Sequence, residues 1–174
     1  MSATTVLGID PGVSETGWAV LSGGDSTQPR LAGSGVVRTT PAQELPARLR
    51  LIHEAVSRLI SRHRPDAVAV EEMFFLKAAH TIRCALQARG VILLAAAQAD
   101  CPVSEYNPRT VKATLTGSGA ADKPQMQRVV SRSLGLACLL RPDDVADAAA
   151  IALCHLRAGR IKRFQVLERH GGRA

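Results

Sequence analysis

The sequence lacks long apolar runs and contains few aromatic residues. No apolar stretch reaches the roughly 18 residues that a membrane span requires, although 46% of the 174 residues are hydrophobic. The N-terminus also lacks the basic start and apolar centre of a signal peptide. There is no internal repeat and no low-complexity linker, so one domain with one core is the expected organisation. We therefore expect a soluble cytoplasmic protein with no membrane partner.

The cysteines lack the spacing that would indicate a zinc site. Four cysteines and five histidines are present, without a CxxC pair among them. Cys84 and Cys154 fall in apolar helical patterns, and we expect all four cysteines, Cys84, Cys101, Cys138 and Cys154, to be reduced thiols in the core. His155 is expected to be a satisfied histidine near a helix end.

The charge is strongly positive. A formal charge of +7 and a pI near 9.9 favour binding to polyanions. Nucleic acid is the expected partner, and its binding should weaken steeply as the salt concentration rises.

The segment GIDPG places a carboxylate at the end of an apolar run. Asp10 follows Val6–Ile9, and Gly12 turns the chain directly afterwards. Buried strand ends are where α/β folds place their chemistry. Since such an Asp can also simply cap a turn, its significance depends on acidic partners elsewhere.

A second buried run repeats this arrangement. AVAV at 67–70 follows the breaker Pro65-Asp66 and leads into Glu71 and Glu72. Successive side chains of a strand alternate between faces, so only one of the two glutamates can share a site with Asp10. The strand pattern leaves this choice open.

Acidic residues also open the segment RPDDVADAAAIALCHLRAG. Asp144 and Asp147 lie at i and i+3 on one helix face, above an apolar stripe, and the alanines allow close packing on a sheet. Acids in a first turn can simply complement the helix dipole. Asp147 lies beyond that turn, which favours a functional role.

Several carboxylates at one place require a cation. They would otherwise raise one another's pKa by repulsion, and oxygen-rich sites suit Mg²⁺ or Mn²⁺. Two such ions can activate water for phosphodiester hydrolysis. Metal-assisted hydrolysis of nucleic acid is therefore the predicted chemistry.

The apolar periodicity predicts strands followed by alternating strands and helices. A mixed sheet covered by helices on both faces follows from this order. The predicted strands are 4–10, 16–22, 31–38, 67–70 and 102–106. The predicted helices are 44–63, 77–99, 107–115, 123–134 and 142–157.

Several motifs occur together in a familiar order. They are GIDPGxxxTGWAV (8–20), VEExFF (70–75), QARG (87–90), EYxxxxVK (105–112), GSGAADK (117–123) and DxxDAxAIAxCH (144–155). In this order and spacing the chain resembles the bacterial RuvC Holliday junction resolvases across nearly its whole length.

The resemblance implies an α/β protein with an RNase H-like fold: a five-stranded mixed sheet flanked by helices on both faces. It implies catalytic metal ligands at Asp10, Glu71, Asp144 and Asp147, with two Mg²⁺ or Mn²⁺ ions per site. It thereby favours Glu71 over Glu72 and Asp144 over Asp143. A nuclease domain over 1–158 and a basic, flexible tail over 159–174 are expected.

The same resemblance implies the partners. A homodimer would make paired symmetric nicks in a four-way DNA junction during recombination and repair, and RuvAB would deliver the junction. The helix predicted over 77–99 is a candidate interface, although its apolar face is equally compatible with core packing.

Four further residues are candidates for DNA binding. The resemblance implies a stacking aromatic at Phe74 and basic contacts to the phosphate at Lys112 and Lys123, with Arg109 as an additional phosphate contact. The family often has Asn and Gly where this chain has Ala78 and Leu86, so local DNA contacts are expected to differ.

Three alternative functions are compatible with parts of the sequence. GIDPGxxxTGWAV also resembles the phosphate loop of sugar kinases and actin-like ATPases, but two domains would not fit in 174 residues. A junction-binding protein without nuclease activity would gain nothing from four acids beside phosphates. Another RNase H-like nuclease, acting on RNA–DNA hybrids, would be distinguished by its substrate.

Overall fold

The computed structural model describes residues 3–23, 28–72 and 79–171, whose five strands form one mixed sheet. The strands are β1 (Thr4–Asp10), β2 (Glu15–Gly23), β3 (Arg30–Arg38), β4 (Ala67–Glu71) and β5 (Val103–Tyr106). Their order across the sheet is β3-β2-β1-β4-β5. The first three pair antiparallel, whereas β4 pairs parallel with β1 and with β5. The predicted five-stranded mixed sheet is confirmed.

Five helices surround the sheet in the described residues. They are α1 (Leu45–His63), α2 (Ala79–Gln98), α3 (Pro108–Thr116), α4 (Lys123–Ser133) and α5 (Asp143–Gly171). Local chemistry sets two of their starts: the side chain of Asn107 accepts a hydrogen bond from the Arg109 amide, and Asp122 accepts one from the Gln125 amide. Both helices also have proline in the first turn, where a missing N–H costs nothing.

Two apolar clusters cover the two faces of the sheet. Along β1, Leu7 and Ile9 face α1 and α2, whereas Val6 faces α5 together with α3 and α4. Because side chains alternate along a strand, a strand buried on both faces must be apolar throughout. This explains the uninterrupted run in β1, and the predicted helices on both faces are confirmed.

The last helix is longer than predicted. Periodicity indicated an end near residue 157, but α5 continues to Gly171, so that boundary was wrong. Leu156 is the last buried residue of α5 among the described side chains, whereas the helix itself continues. The flexibility expected for residues 159–174 stays a prediction.

The cysteines differ in their burial. All four are free; Cys101 and Cys154 are buried and Cys84 is partly buried, but Cys138 is exposed. The expectation of core thiols is wrong for Cys138, because it lies in the turn region between α4 and α5, outside any apolar helix face. Across the described residues, none of the helices is both long and apolar enough for a membrane span.

Candidate active site at the ends of β1 and β4

Asp10 and Glu71 lie side by side at one edge of the sheet. Ile9 is in register with Val70 in the parallel pair, so the next residue of each strand is an acid. The two side chains lie close enough for each to act on the pKa of the other. Glu72 follows the strand, and its backbone N–H donates to the carbonyl of Tyr106 at 2.8 Å.

Two glycines allow α5 to bring its acids to this edge. A Cβ atom added to Gly8 would lie 2.1 Å from the carbonyl oxygen of Ala148, and one added to Gly17 would lie 2.1 Å from that of Asp144. Any side chain at either position would therefore push the helix away from the sheet. With glycine there, the first turns of α5 approach Asp10 closely enough for Asp144 and Asp147 to act on its charge.

The electrostatics of the acids reflect their proximity. Burial raises the pKa of Asp10 to about 8, with further contributions from the charges of Glu71, Asp147 and Asp144. Burial also raises the pKa of Glu71; the hydrogen bond from Asp10 opposes this, and the charge of Asp147 adds to it. The pKa of Asp147 is raised by burial and by Asp143 and Asp144, against the lowering effect of Lys123.

Lys123 pairs with two acids of α5. Its Nζ lies 3.2 Å from Asp143 Oδ2 and 3.4 Å from Asp147 Oδ2. Partial burial lowers the pKa of Lys123, but the two carboxylates outweigh this effect and raise it above its usual range. Lys123 thus neutralises part of the negative charge on the α5 side of the site.

An open cleft of about 220 Å³ adjoins the acids. Glu71 and Asp147 contribute its acidic side, and Lys112 and Lys123 contribute its basic side. The remaining wall is apolar and is formed by Pro108, Val111, Met126, Ala150 and Ile151. A phosphate entering this cleft would contact ammonium groups next to carboxyl groups.

The other predicted DNA-binding residues are placed differently. Arg109 is exposed in the first turn of α3 and is absent from the described residues that line the cleft. Phe74 lies outside the described residues. His155 has the partner that was expected of it, since Tyr106 Oη lies 2.9 Å from its Nδ1, although α5 continues beyond it.

The donor set fits a hard divalent cation. Raised carboxyl pKa values indicate negative charge that the protein compensates only in part, and oxygen ligands are those that Mg²⁺ and Mn²⁺ prefer. As they stand, no three His, Cys, Asp or Glu side chains of the described residues are arranged to hold one ion.

Sequence reasoning missed the residues that shape the site without contacting a ligand. Gly8 and Gly17 lie within the motif GIDPGxxxTGWAV, but only their distance from α5 reveals their role. Gln127 was not singled out at all; it is buried, and its Nε2 donates to Asp143 Oδ1 at 2.8 Å. The sequence signal that could have identified Gln127 is a polar residue among the apolar positions of α4.

The antiparallel β1–β3 meander, the parallel strands β4 and β5 and the helices on both faces define an RNase H-like α/β protein with acids at its strand ends. A family model described as crossover junction endodeoxyribonuclease RuvC matches residues 6–155. The chain belongs to this RuvC family.

Individual relatives agree with this assignment. The RuvC of Gloeobacter violaceus is 48% identical over 153 residues, which cover 88% of each chain. A structure of Thermus thermophilus RuvC in complex with a Holliday junction substrate is 38% identical, with a TM-score of 0.88 and coverage of 91% of this chain and 96% of that one. The yeast mitochondrial Holliday junction resolvase is 13% identical with a TM-score of 0.68, covers 97% of this chain and 86% of that one, and shows the shared fold alone.

Proposed function

We propose that this chain is a structure-selective endonuclease that resolves Holliday junctions by paired symmetric nicks in DNA recombination and repair. The observation that carries the proposal is the convergence of Asp10, Glu71, Asp144 and Asp147 at one sheet edge, beside a cleft that also contains two lysines. Membership of the RuvC family supports the substrate, since a relative of closely similar structure was solved on a Holliday junction.

The four acids would hold two Mg²⁺ or Mn²⁺ ions. Bound ions of this kind supply charge neutralisation and activation of water for phosphodiester hydrolysis. The pKa values of Asp10 and Glu71 are both raised, so protons must leave before both carboxyl groups can act as ligands. Metal binding should therefore release protons and become tighter as the pH rises.

The lysines of the cleft would orient the DNA backbone. Lys112 and Lys123 line the same cleft as Glu71 and Asp147, where ammonium groups can neutralise charge that develops on the phosphate. Arg109, exposed on α3, would contact a more distant phosphate, and Phe74 would stack on a base near the crossover.

A homodimer would match the near two-fold symmetry of a four-way junction. Two copies present two identical sites to opposing strands, so that both nicks fall at equivalent positions. The exposure of Leu94, which is 50% accessible on α2, supports that helix as the interface. We further propose a nuclease domain over 1–158 with a basic tail after it, a cytoplasmic location and delivery of the junction by RuvAB.

The experiment is a comparison of cleavage substrates. An immobile synthetic four-way junction, a linear duplex and an RNA–DNA hybrid are each incubated with Mg²⁺, Mn²⁺ or EDTA, using wild type and Asp10→Asn. Symmetric nicks in the junction alone, lost with EDTA and with Asp10→Asn, are the expected result. Tight junction binding without nicks under any metal would indicate a binding protein, and preferential cleavage of the hybrid would indicate a different RNase H-like nuclease.

A further inference from the structure

Asp143 precedes the proposed ligand Asp144 in the chain, and its carboxylate is held by side chains of the protein. Its Oδ1 accepts hydrogen bonds from Gln127 Nε2 at 2.8 Å and from Arg141 Nη1 at 2.9 Å. Its Oδ2 lies 3.2 Å from Lys123 Nζ. Both oxygens are therefore already engaged by donors from α4 and from the preceding turn. This arrangement suits a carboxylate that fixes a cation better than one that binds a metal ion.

Gln127 gives this arrangement a rigid base. Its side chain belongs to α4, where it lies one turn after Lys123 on the same helix face. It is 7% exposed, so its amide is held by packing and has Asp143 as its hydrogen-bond acceptor. A buried amide that lost this acceptor would be unsatisfied, which favours keeping Asp143 in place.

Lys123 alone would be poorly ordered. Its side chain is 52% exposed, and an ion pair at such a position usually contributes little because ordering both side chains costs entropy. Here Asp143 is already fixed by Gln127 and Arg141, so that only the lysine must be ordered. The second carboxylate, Asp147, then draws Nζ toward the acidic site at 3.4 Å.

We infer that Gln127 and Asp143 are positioning residues that hold the ammonium group of Lys123 over Asp147, ready to meet the scissile phosphate. This inference rests on the proposed nuclease function and adds to it a chain of contacts from the core of α4 to the edge of the site. Asp143 thus positions Lys123.

The order of Lys123 can be measured without any cleavage. The chain contains four lysines, so labelling lysine with ¹³C gives a simple NMR spectrum, and Lys123→Met identifies the signal of Lys123. We expect its ε-methylene to become markedly more mobile in Asp143→Asn and in Gln127→Met. The control Glu54→Gln removes an exposed carboxylate that pairs with Arg50 and Arg58 on α1, and it should leave the signal unchanged.

Single-turnover cleavage then tests whether the order of Lys123 affects the reaction. Asp143→Asn should slow junction cleavage about tenfold, while the junction Kd changes less than about twofold. In the Lys123→Met background, Asp143→Asn should cause no further loss, because the residue acts through Lys123. Asp143→Glu, which keeps the charge, should restore part of the rate, and thermal unfolding identifies any variant that fails to fold.

The outcomes distinguish the proposed nuclease function from the positioning role of Asp143. A wild type that cuts no junction contradicts the proposed function, whereas the NMR comparison still decides whether Asp143 orders Lys123. Unchanged mobility of Lys123 in both Asp143→Asn and Gln127→Met overturns the inference. Fully additive losses in the double variant also overturn it, since they indicate that Asp143 acts independently of Lys123.

Discussion

Asp10 keeps its proton over a wider pH range than an ordinary aspartic acid. Its pKa rises from 3.8 to about 8, first because of burial and then because of the neighbouring acids. Between these values the folded protein binds more protons than the unfolded chain, so stability falls as the pH rises. Glu71 and Asp147 act in the same direction, because the pKa of each is also raised.

This behaviour predicts a pH-dependent melting temperature. In EDTA the Tm should be lower at about pH 8 than at about pH 5, and Asp10→Asn should flatten this slope, since it removes the ionising carboxyl group. Added Mg²⁺ should raise the Tm more at the higher pH, where fewer protons compete for the ligands. A wild-type slope in Asp10→Asn would contradict the assignment of the raised pKa to that residue.

The adjacent glutamates Glu71 and Glu72 provide a matched variant and control for testing the metal ligands. Glu71→Gln should lower junction cleavage by about a hundredfold or more, because it removes a metal ligand, while junction binding stays equal or tightens. Glu72→Gln should cleave at the wild-type rate, since the neutral change there leaves the cluster around Asp10 intact. Cleavage rates and Kd values for both variants provide the test. The reverse pattern would move the ligand to Glu72.

At the level of elements, the site depends on how closely α5 lies on the sheet. Gly8 and Gly17 face backbone carbonyl groups of α5, and these cannot rotate away as flexible side chains can. The close approach places Asp144 and Asp147 beside the end of β1. Packing of α5 on the sheet therefore shapes the candidate site as well as the core.

Gly8→Ala tests this contact. The added methyl group would meet the carbonyl oxygen of Ala148 and the Cβ of Ala152, so we expect a loss of roughly 1–3 kcal/mol in unfolding free energy and slower cleavage. Gly159→Ala, on α5 itself, is the control: its added Cβ meets no atom within 4 Å, and helix propensity predicts a gain of about 0.5–1 kcal/mol. Equal stability of the two variants would refute the contact argument.

On the scale of the whole molecule, positive charge surrounds an acidic centre. The chain carries +7 although its site gathers several acids, so the rest of the surface is more basic than the total indicates. The basic surface attracts the DNA backbone at many points. The acidic cluster is left to bind metal ions beside a single phosphate. Affinity for the junction should therefore come largely from electrostatics outside the acidic cluster.

Salt titration of junction binding measures this contribution. We expect log Kd to rise linearly with log salt, and Lys112→Ala to reduce the slope by about one phosphate contact. Arg58→Ala is the control, because Arg58 is exposed on α1, which covers the opposite face of the sheet from α3. An unchanged slope for Lys112→Ala would remove this residue from the DNA path.

The order of strands and helices was largely predictable because it depends on local patterns. Apolar runs that end in Asp10 and Glu71, turn residues and helical periodicity all act over a few residues, and parallel strands bring their ends to the same edge. The end of α5 was missed because helical hydrogen bonds continue beyond the apolar stripe. The exposure of Cys138 was missed because composition does not report on a turn.

The sequence by itself determined a mixed α/β sheet, a basic surface and acids at the strand ends, since each depends on residue type and near neighbours. Only the tertiary structure decided that Lys123 lies between Asp143 and Asp147, that Gln127 supports this arrangement and that two glycines admit α5. Those contacts join residues far apart in the chain, and they depend on distances of a few tenths of an ångström in the packing of helices and strands.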